Sequence, residues 1–306
     1  MSVILGSKID HSELEALFRK VYPFKGSQFS STYFCWRYER QFGANSYAIQ
    51  VRKNGDLLGH GGIFVVNDGK GGKYALLGDL ISDPQSRGLS TIIPLYKEAK
   101  KTLLRVNSDR VFTTPKERSA QVNRRILSLT DIAEASRTIA LVSPMPTSRT
   151  MTSMLFGETG DQVERVEQAF MQASYDQAQR VKKWNATTLL NRLANPATQY
   201  HLHLSESSLT VTRLRTFRAV RIVEILLRII RDGLQTPACE LDVRQIAWYH
   251  RTPLISYSAT GSTSQLQRFL QTRLVRLDLQ FVVQTQTPRS THTEGSQIEL
   301  LDLDHS

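Results

Sequence analysis

The residues whose types and spacing best predict chemistry lie in a short polar stretch at residues 85–90, which reads Gln-Ser-Arg-Gly-Leu-Ser. An apolar run at residues 74–81 predicts a buried strand, and Pro84 ends it because proline cannot donate to a sheet ladder. Apolar residues at helical spacing predict a helix over residues 91–104. A loop at the start of a helix offers free backbone N–H groups and the positive end of the helix dipole. The stretch is therefore a candidate phosphate site.

The pattern Gln85-x-x-Gly88-x-Ser90 resembles the acyl-CoA signature of the GNAT acetyltransferase superfamily, which has Gln or Arg, two residues, Gly, one residue, then Gly or Ala. Ser90 is a mild departure, because its side chain narrows the room for the pyrophosphate. The resemblance implies an α/β (α+β) GNAT fold, a mixed central sheet flanked by helices, with acetyl-CoA or another acyl-CoA as co-substrate and no metal. It also implies that the loop and the preceding strand hold the cofactor through Leu80, Ile81, Ser82, Gln85, Ser86, Arg87, Gly88, Leu89 and Ser90.

The resemblance also implies the catalytic groups. A backbone N–H within residues 80–82 would polarise the thioester carbonyl, in the manner of an oxyanion hole. Asp79 stands where family members often carry an acid, and we expect it to be the general base; the alternative is that it only orders the strand or binds substrate. Alternation along the strand leaves its face undecided, since a one-residue bulge would turn it the other way. Glu117 is a remote second choice.

The acceptor pocket and the general acid follow from the same resemblance. The second helix of the family lines the acceptor pocket, so Trp36 is a candidate substrate-binding residue. His60, in a predicted strand, is a second candidate, because it points into the part of the sheet where substrates of the family usually lie. Aromatic residues such as Trp36 are also typical of a core, and His60 could be a structural histidine. Near Leu127 the family often carries a tyrosine that protonates the leaving thiolate, and the predicted helix there contains none. Either another group, or solvent, serves as the acid, or the chain is inactive.

Composition excludes several classes of protein. The net charge of +11 fits an anionic cofactor, but its basic residues are scattered and no basic block is interleaved with aromatics, so nucleic acid is not the expected partner. Two cysteines argue against a disulfide scaffold, and the absence of a signal peptide or of an apolar membrane span predicts a cytoplasmic protein without a membrane partner. His201 and His203 share a strand face by period two, but no third metal ligand is evident, and we interpret them as surface histidines.

The order of predicted elements indicates two tandem copies of the fold. Residues 1–145 form a GNAT domain with the acyl-CoA loop, residues 146–183 a linker and connecting helix, residues 184–287 a degenerate second GNAT-like domain, and residues 288–306 a flexible tail. Residues 189–200 repeat the pattern of residues 36–47: an amphipathic helix, a small-residue break and a tyrosine that opens a strand. The second copy lacks the cofactor loop.

Together these features predict an acyl-CoA-dependent N-acyltransferase, most simply an acetyltransferase. Its acceptor would be the amine of a small molecule such as an amino sugar or amino acid derivative. The first alternative is a catalytically silent GNAT module that binds CoA or a protein partner, which the missing tyrosine and Ser90 favour. The second alternative, a nucleic-acid-binding protein, rests on charge alone, and its affinity for random DNA would fall steeply with salt.

Overall fold

The computed structural model describes residues 2–6, 9–67, 72–86, 88–108, 110–115, 117–146, 151–157, 160–171, 184–217, 219–231, 237–260, 265–285 and 298–299. The chain divides into two compact units. The first comprises residues 1–132, 195–197 and 282–291, and the second comprises residues 133–194, 198–281 and 292–306. Among the helices described, none is both long enough and apolar enough to span a membrane.

The first unit is a mixed sheet with helices on both faces. Its strands follow one another in chain order, antiparallel except for the parallel last pair, and residues 284–285 add to the far edge. The strands are β1 (Ser2–Gly6), β2 (Ser46–Lys53), β3 (Asp56–Asn67), β4 (Lys73–Ser82) and β5 (Arg110–Thr113), and the helices are α1 (His11–Val21), α2 (Ser31–Cys35), α3 (Leu89–Arg105) and α4 (Glu117–Val122). Wide helical turns extend α2 over Trp36–Gln41 and α4 over Asn123–Leu127.

Local sequence sets several boundaries of this unit. Asp10 caps α1, because its side chain accepts hydrogen bonds from the backbone N–H groups of Ser12 and Glu13. Asn54 and Gly55 both have positive φ, 53° and 93°, as the tight hairpin between β2 and β3 requires. The apolar stripe of α3 packs on the sheet face that carries Ile49, Ile63, Ala75 and Leu77 in one buried cluster.

The second unit has the same plan. Its helices and strands are β6 (Thr130–Leu141), β7 (Thr152–Leu155), α5 (Gly160–Met171), α6 (Ala186–Leu193), β8 (His201–Leu204), β9 (Ser208–Phe217), β10 (Val220–Ile230), α7 (Pro237–Tyr249), β11 (Leu254–Thr260), α8 (Gln265–Gln271), β12 (Leu274–Thr285) and β13 (Ile298–Glu299). The division between units falls inside β6 and β12. The strand order is β6-β11-β10-β9-β8-β7, and only the β10–β11 pair in this series is parallel.

The two units also share a detail of their central strands. In the first, β4 pairs in parallel with β5 over Tyr74, Ala75 and Leu76, and a bulge follows. In the second, β10 pairs in parallel with β11 over residues 223–225, and a bulge again follows. A helix joins the parallel strands in each unit, α3 in the first and α7 in the second. The predicted tandem arrangement of two units with the same plan is therefore confirmed.

Several predicted elements are found, and others were missed. Asn54-Gly55 and Ser205-Glu206-Ser207 predict two hairpin turns from their residue types, and both hairpins are found, as is the predicted helix after the candidate phosphate loop. The sequence predicts a strand only from Ile139 to Val142, whereas β6 begins nine residues earlier, at Thr130. Helix α7 and strands β1 and β7 were not predicted. The predicted domain limits stay a prediction. Apart from residues 298–299, the predicted tail over residues 288–306 lies outside the described residues, as do residues 172–183 of the predicted connecting helix.

Candidate functional site

The end of β4 is the feature around which the candidate site is built. Among the described residues, β4 is paired with β5 only as far as Leu76, whereas its pairing with β3 continues to Ser82. Within the described part of the chain, no strand pairs with β4 on the β5 side beyond Leu76, and an extended ligand could add there as a strand. The predicted cofactor-binding residues Leu80, Ile81 and Ser82 all lie on this segment.

A bulge in β4 decides which way Asp79 points. The pairing with β3 shifts between Gly78 and Ile81, and Asp79 takes the left-handed conformation with φ of 55°. As a result Gly78 and Asp79 both face Arg37, which follows α2. Leu80 points to the opposite face, where its side chain lies against Gly61. The bulge thus turns the carboxylate of Asp79 toward the face covered by α2.

Four side chains form a continuous hydrogen-bonded network on that face. Arg37 Nε donates to Asp79 Oδ2 over 2.7 Å, and Tyr38 Oη donates to the same oxygen over 3.1 Å. Tyr38 Oη also lies 2.7 Å from His60 Nε2. Arg37, Tyr38 and His60 are buried, while the side chain of Asp79 keeps 13% of its surface exposed. Asp79 is therefore the member of the network that is most exposed to solvent.

Burial controls the protonation of the network. It lowers the pKa of His60 to about 4, so the imidazole is neutral at neutral pH. Burial also raises the pKa of Tyr38 well above its ordinary value, with the charge of Asp79 adding to the rise. For Arg37, burial acts to lower the pKa, but the carboxylate of Asp79 and the nearby tyrosines outweigh it, and the net pKa is raised. The network consequently holds one ion pair, Arg37 with Asp79, and two neutral side chains, Tyr38 and His60.

The glycines around His60 give the network its room. A Cβ on Gly62 would lie 2.6 Å from Tyr38 Oη and 2.7 Å from the ring of Phe64, and one on Gly61 would lie 2.8 Å from Leu80. Arg37 stacks over Phe64 with 4.5 Å between guanidinium carbon and ring centroid. From the sequence alone, the glycines of β3 indicate only a weak strand. In the structure they are required by the packing of the site.

The predicted phosphate loop connects β4 to α3. Asp83 fixes its start, because its Oδ1 accepts from the backbone N–H of Gln85 and its Oδ2 pairs with Lys20 of α1 over 3.0 Å. Gln85 and Ser86 lie in a single 3₁₀ turn, and Gly88 is the N-cap of α3. Leu89 is 74% exposed and Ser90 is exposed as well. Arg87 lies outside the described residues.

Gly88 is not required by the conformation or the packing of the described chain. Its φ of −147° is open to any residue. A Cβ there would meet nothing nearer than Ser90 Oγ at 3.7 Å, an ordinary contact. Among the described residues, a small side chain at this position would therefore meet only Ser90.

The remaining candidate residues are placed as follows. Trp36 is buried and packs on Tyr33, with 5.6 Å between ring centroids, and its predicted role in acceptor binding stays a prediction. Glu117 is the first residue of α4. Leu127, where the resemblance places a tyrosine, is 1% exposed and belongs to the core under α3.

Possible metal ligands meet at one place in the described part of the chain. His11, Cys35 and Glu39 bring their ligand atoms within 4.8 Å of one another at the surface. The thiol of Cys35 donates to Glu39 over 3.2 Å, and this hydrogen bond, with burial, raises the pKa of Cys35. A thiol held in its protonated form is a poor metal ligand.

The two histidines of β8 share a face as predicted, but the interpretation of both as surface residues is wrong for His203. His203 is 1% exposed, and its two ring nitrogens lie 2.8 Å from Ser153 Oγ and 2.9 Å from Thr212 Oγ1. Thr212 Oγ1 also lies 3.1 Å from His250 Nε2. Hydroxyl groups rather than a metal thus satisfy His203, and burial lowers its pKa well below the ordinary value.

Sequence reasoning missed the partnership of Arg37 with Asp79. Arg37 stands among aromatic residues in what reads as one helix, and no periodicity marks it as a partner of a residue 42 positions later. One available signal was its type: arginine within an aromatic, buried segment requires a counter-charge.

Comparison with solved structures identifies the fold. A GCN5-related N-acetyltransferase from Anabaena variabilis superposes with a TM-score of 0.66 at 11% identity, covering 93% of this chain and 72% of that one. One from Kribbella flavida gives 0.61 at 10% identity, covering 93% and 70%. A tandem GNAT protein from the clavulanic acid biosynthesis pathway gives 0.60 at 9% identity, covering 94% and 100%. No family model and no curated protein sequence matches the chain.

Proposed function

We propose that this chain, which has the fold of the GCN5-related N-acetyltransferases in two tandem units, is an acyl-CoA-dependent N-acyltransferase. Acetyl-CoA is the expected co-substrate, and the acceptor is the amine of a small molecule such as an amino sugar or amino acid derivative. The observation that carries the proposal is the juxtaposition, in the first unit, of an unpaired strand edge, an open loop at a helix start and a carboxylate on the bulge between them.

The loop supports the binding of CoA. The N–H groups of Thr91 and Ile92 donate to the carbonyl oxygen of Gly88, and the N-cap Gly88 has no side chain to occupy the earlier ones. The N–H groups of Leu89 and Ser90 would therefore bind the pyrophosphate, helped by the positive end of the helix dipole. The free edge of β4 at Leu80, Ile81 and Ser82 supports main-chain pairing with the amide-containing pantetheine arm.

The bulge supports the chemistry of acyl transfer. A backbone N–H at Leu80 or Ile81 would polarise the thioester carbonyl. The amine must lose a proton before it attacks, and Asp79 is the partly exposed carboxylate on the same segment. Its Oδ2 holds both hydrogen bonds of the network, so Oδ1 is the oxygen left for the ammonium proton. The thiolate would leave with a proton from solvent or from another group.

A second candidate function is a GNAT module that binds CoA or a protein partner without catalysis. Leu127 favours it, because a buried leucine occupies the position where the resemblance places the acid. Both functions predict CoA binding by the same loop. Only the first predicts release of free thiol in the presence of an amine.

Calorimetry of acetyl-CoA with the full chain tests the shared part of the proposal. Wild type should bind, and Gly88→Trp should abolish binding while leaving the circular dichroism spectrum unchanged, because the added ring would occupy the space that the pyrophosphate needs. Gly157→Trp is the matched control, since a Cβ there meets nothing within 4 Å and one at Gly88 meets only Ser90 Oγ, at 3.7 Å. Equal affinity of wild type and a folded Gly88→Trp protein would overturn the assigned loop.

A thiol-release assay then separates the two functions. Acetyl-CoA is incubated with pools of amino sugars and amino acid derivatives, and free CoA is measured. Release that depends on one amine establishes transfer. Binding of acetyl-CoA without release for any amine in the pools would favour the module.

A further inference from the structure

The hydrogen bonds of Tyr38 can be arranged in only one way that satisfies all its contacts. Its hydroxyl has a single hydrogen but lies within reach of both His60 Nε2, at 2.7 Å, and Asp79 Oδ2, at 3.1 Å. A carboxylate can only accept. If the hydroxyl hydrogen went to His60, two oxygen lone pairs would face each other across the Tyr38–Asp79 contact. The hydroxyl must therefore donate to Asp79 and accept from His60.

This arrangement fixes the tautomer of His60. Its proton must lie on Nε2, which leaves Nδ1 as a buried nitrogen lone pair without a hydrogen-bond partner among the described groups. The other tautomer would bury an unpaired N–H donor at Nδ1, which is rarer and more costly in folded proteins. A charged imidazole would bring a second buried cation close to Arg37.

We propose that Tyr38 and His60 are positioning residues of the proposed acyl transfer: His60 Nε2–H donates to Tyr38 Oη, and Tyr38 O–H donates to Asp79 Oδ2, fixing the carboxylate that takes the acceptor proton. The inference rests on the proposed function. No proton leaves the relay in the reaction. The ammonium proton moves to Asp79 Oδ1, and the relay holds Oδ2.

The proposed relay makes a prediction about how kcat/KM depends on pH. The groups that face it are Arg37 and Tyr38 from the turn after α2, with His60 of β3 behind Tyr38. A hydrogen bond to the ionised carboxylate favours the ionised form. Its loss should raise the pH of the acid limb of kcat/KM by about one unit, since a hydrogen bond to a charged group corresponds to roughly that shift.

The test uses Tyr38→Phe, His60→Leu and His60→Gln in the full chain. Tyr38→Phe should move the acid limb of kcat/KM upward by about one pH unit and leave acetyl-CoA affinity unchanged. His60→Leu should move the acid limb upward by less than Tyr38→Phe does. His60→Gln should keep the acid limb at its wild-type pH, because the glutamine amide can donate to Tyr38 Oη where Nε2–H does. An unmoved limb in Tyr38→Phe, or a downward shift in His60→Leu, would overturn the relay. Thermal melts confirm that each variant is folded.

A measurement independent of activity separates failure of the relay from failure of the proposed function. Nitrogen-15 NMR of the uniformly labelled protein distinguishes a protonated from an unprotonated ring nitrogen. His60 should show protonated Nε2 and unprotonated Nδ1 at pH 7, assigned by the loss of these signals in His60→Gln. The opposite tautomer would overturn the relay even in an active enzyme. If His60 shows the expected tautomer but the chain has no transferase activity, the hydrogen-bonded network is supported and only its proposed role in acyl transfer is refuted.

Discussion

The ion pair between Arg37 and Asp79 makes a quantitative prediction about stability. Arg37→Met keeps most of the side-chain volume but removes the charge, the hydrogen bond to Asp79 and the contact over Phe64. Removing one partner of a buried ion pair costs about 3–5 kcal/mol, because the other charge stays buried without compensation. Because the Asp79 side chain is 13% exposed, we expect a loss at the lower end of this range, a decrease of about 3 kcal/mol in the free energy of unfolding.

A double-mutant cycle shows whether the loss comes from the lone carboxylate. Adding Asp79→Asn to Arg37→Met removes the uncompensated charge and should recover about 2 kcal/mol. Arg19→Met is the matched control: Arg19 pairs with Glu15 over 2.5 Å but is 61% exposed. Its loss should change the stability by no more than about 1 kcal/mol.

Urea denaturation followed by circular dichroism measures the free energy of unfolding of wild type, of Arg37→Met, Asp79→Asn and the double variant, and of the Arg19→Met control, with equal m-values as the condition for comparing them. In Arg37→Met, the unfolding transition of the first unit should shift to a lower urea concentration. The reasoning would be refuted by an Arg37→Met protein within about 1 kcal/mol of wild type, or by a double variant no more stable than the single one. Either result would mean that water, rather than Arg37, compensates Asp79.

Three further predictions concern the same network. Asp79→Asn should lower turnover by roughly a hundred- to ten-thousand-fold with an unchanged dissociation constant for acetyl-CoA, and wild-type turnover would remove Asp79 as the base. Gly62→Ala should lower the free energy of unfolding by about 1–3 kcal/mol in thermal or urea melts, because its Cβ would lie 2.6 Å from Tyr38 Oη; an unchanged melt would contradict this packing. His60 has a folded pKa of about 4, below its unfolded value, so its contribution to stability is full above the unfolded pKa and is lost as pH falls toward 4. Wild type should lose about 2 kcal/mol more than His60→Gln between pH 7 and pH 5, and parallel pH curves would show that His60 already protonates freely in the fold.

Much of the first unit could be predicted because its signals are local. The cap at Asp10, the hairpin at Asn54 and the strand-loop-helix around Gly88 depend on residues within a few positions of one another. Such signals act through backbone conformations that specific side chains favour or forbid. Helix α7 was missed because its apolar and polar residues are separated less clearly into two faces than those of α1 and α3.

The amino-acid sequence by itself determined that a small-residue loop follows a buried strand, that an acid stands just before the end of that strand, and that the pattern resembles an acyl-CoA site. Only the tertiary structure decided the face and the partner of Asp79. The face depends on the bulge opposite Gly61, and the partner is an arginine 42 positions earlier in the chain. Neither is encoded in alternation or spacing, because a bulge reverses alternation and a buried charge finds its counter-charge through packing rather than along the chain.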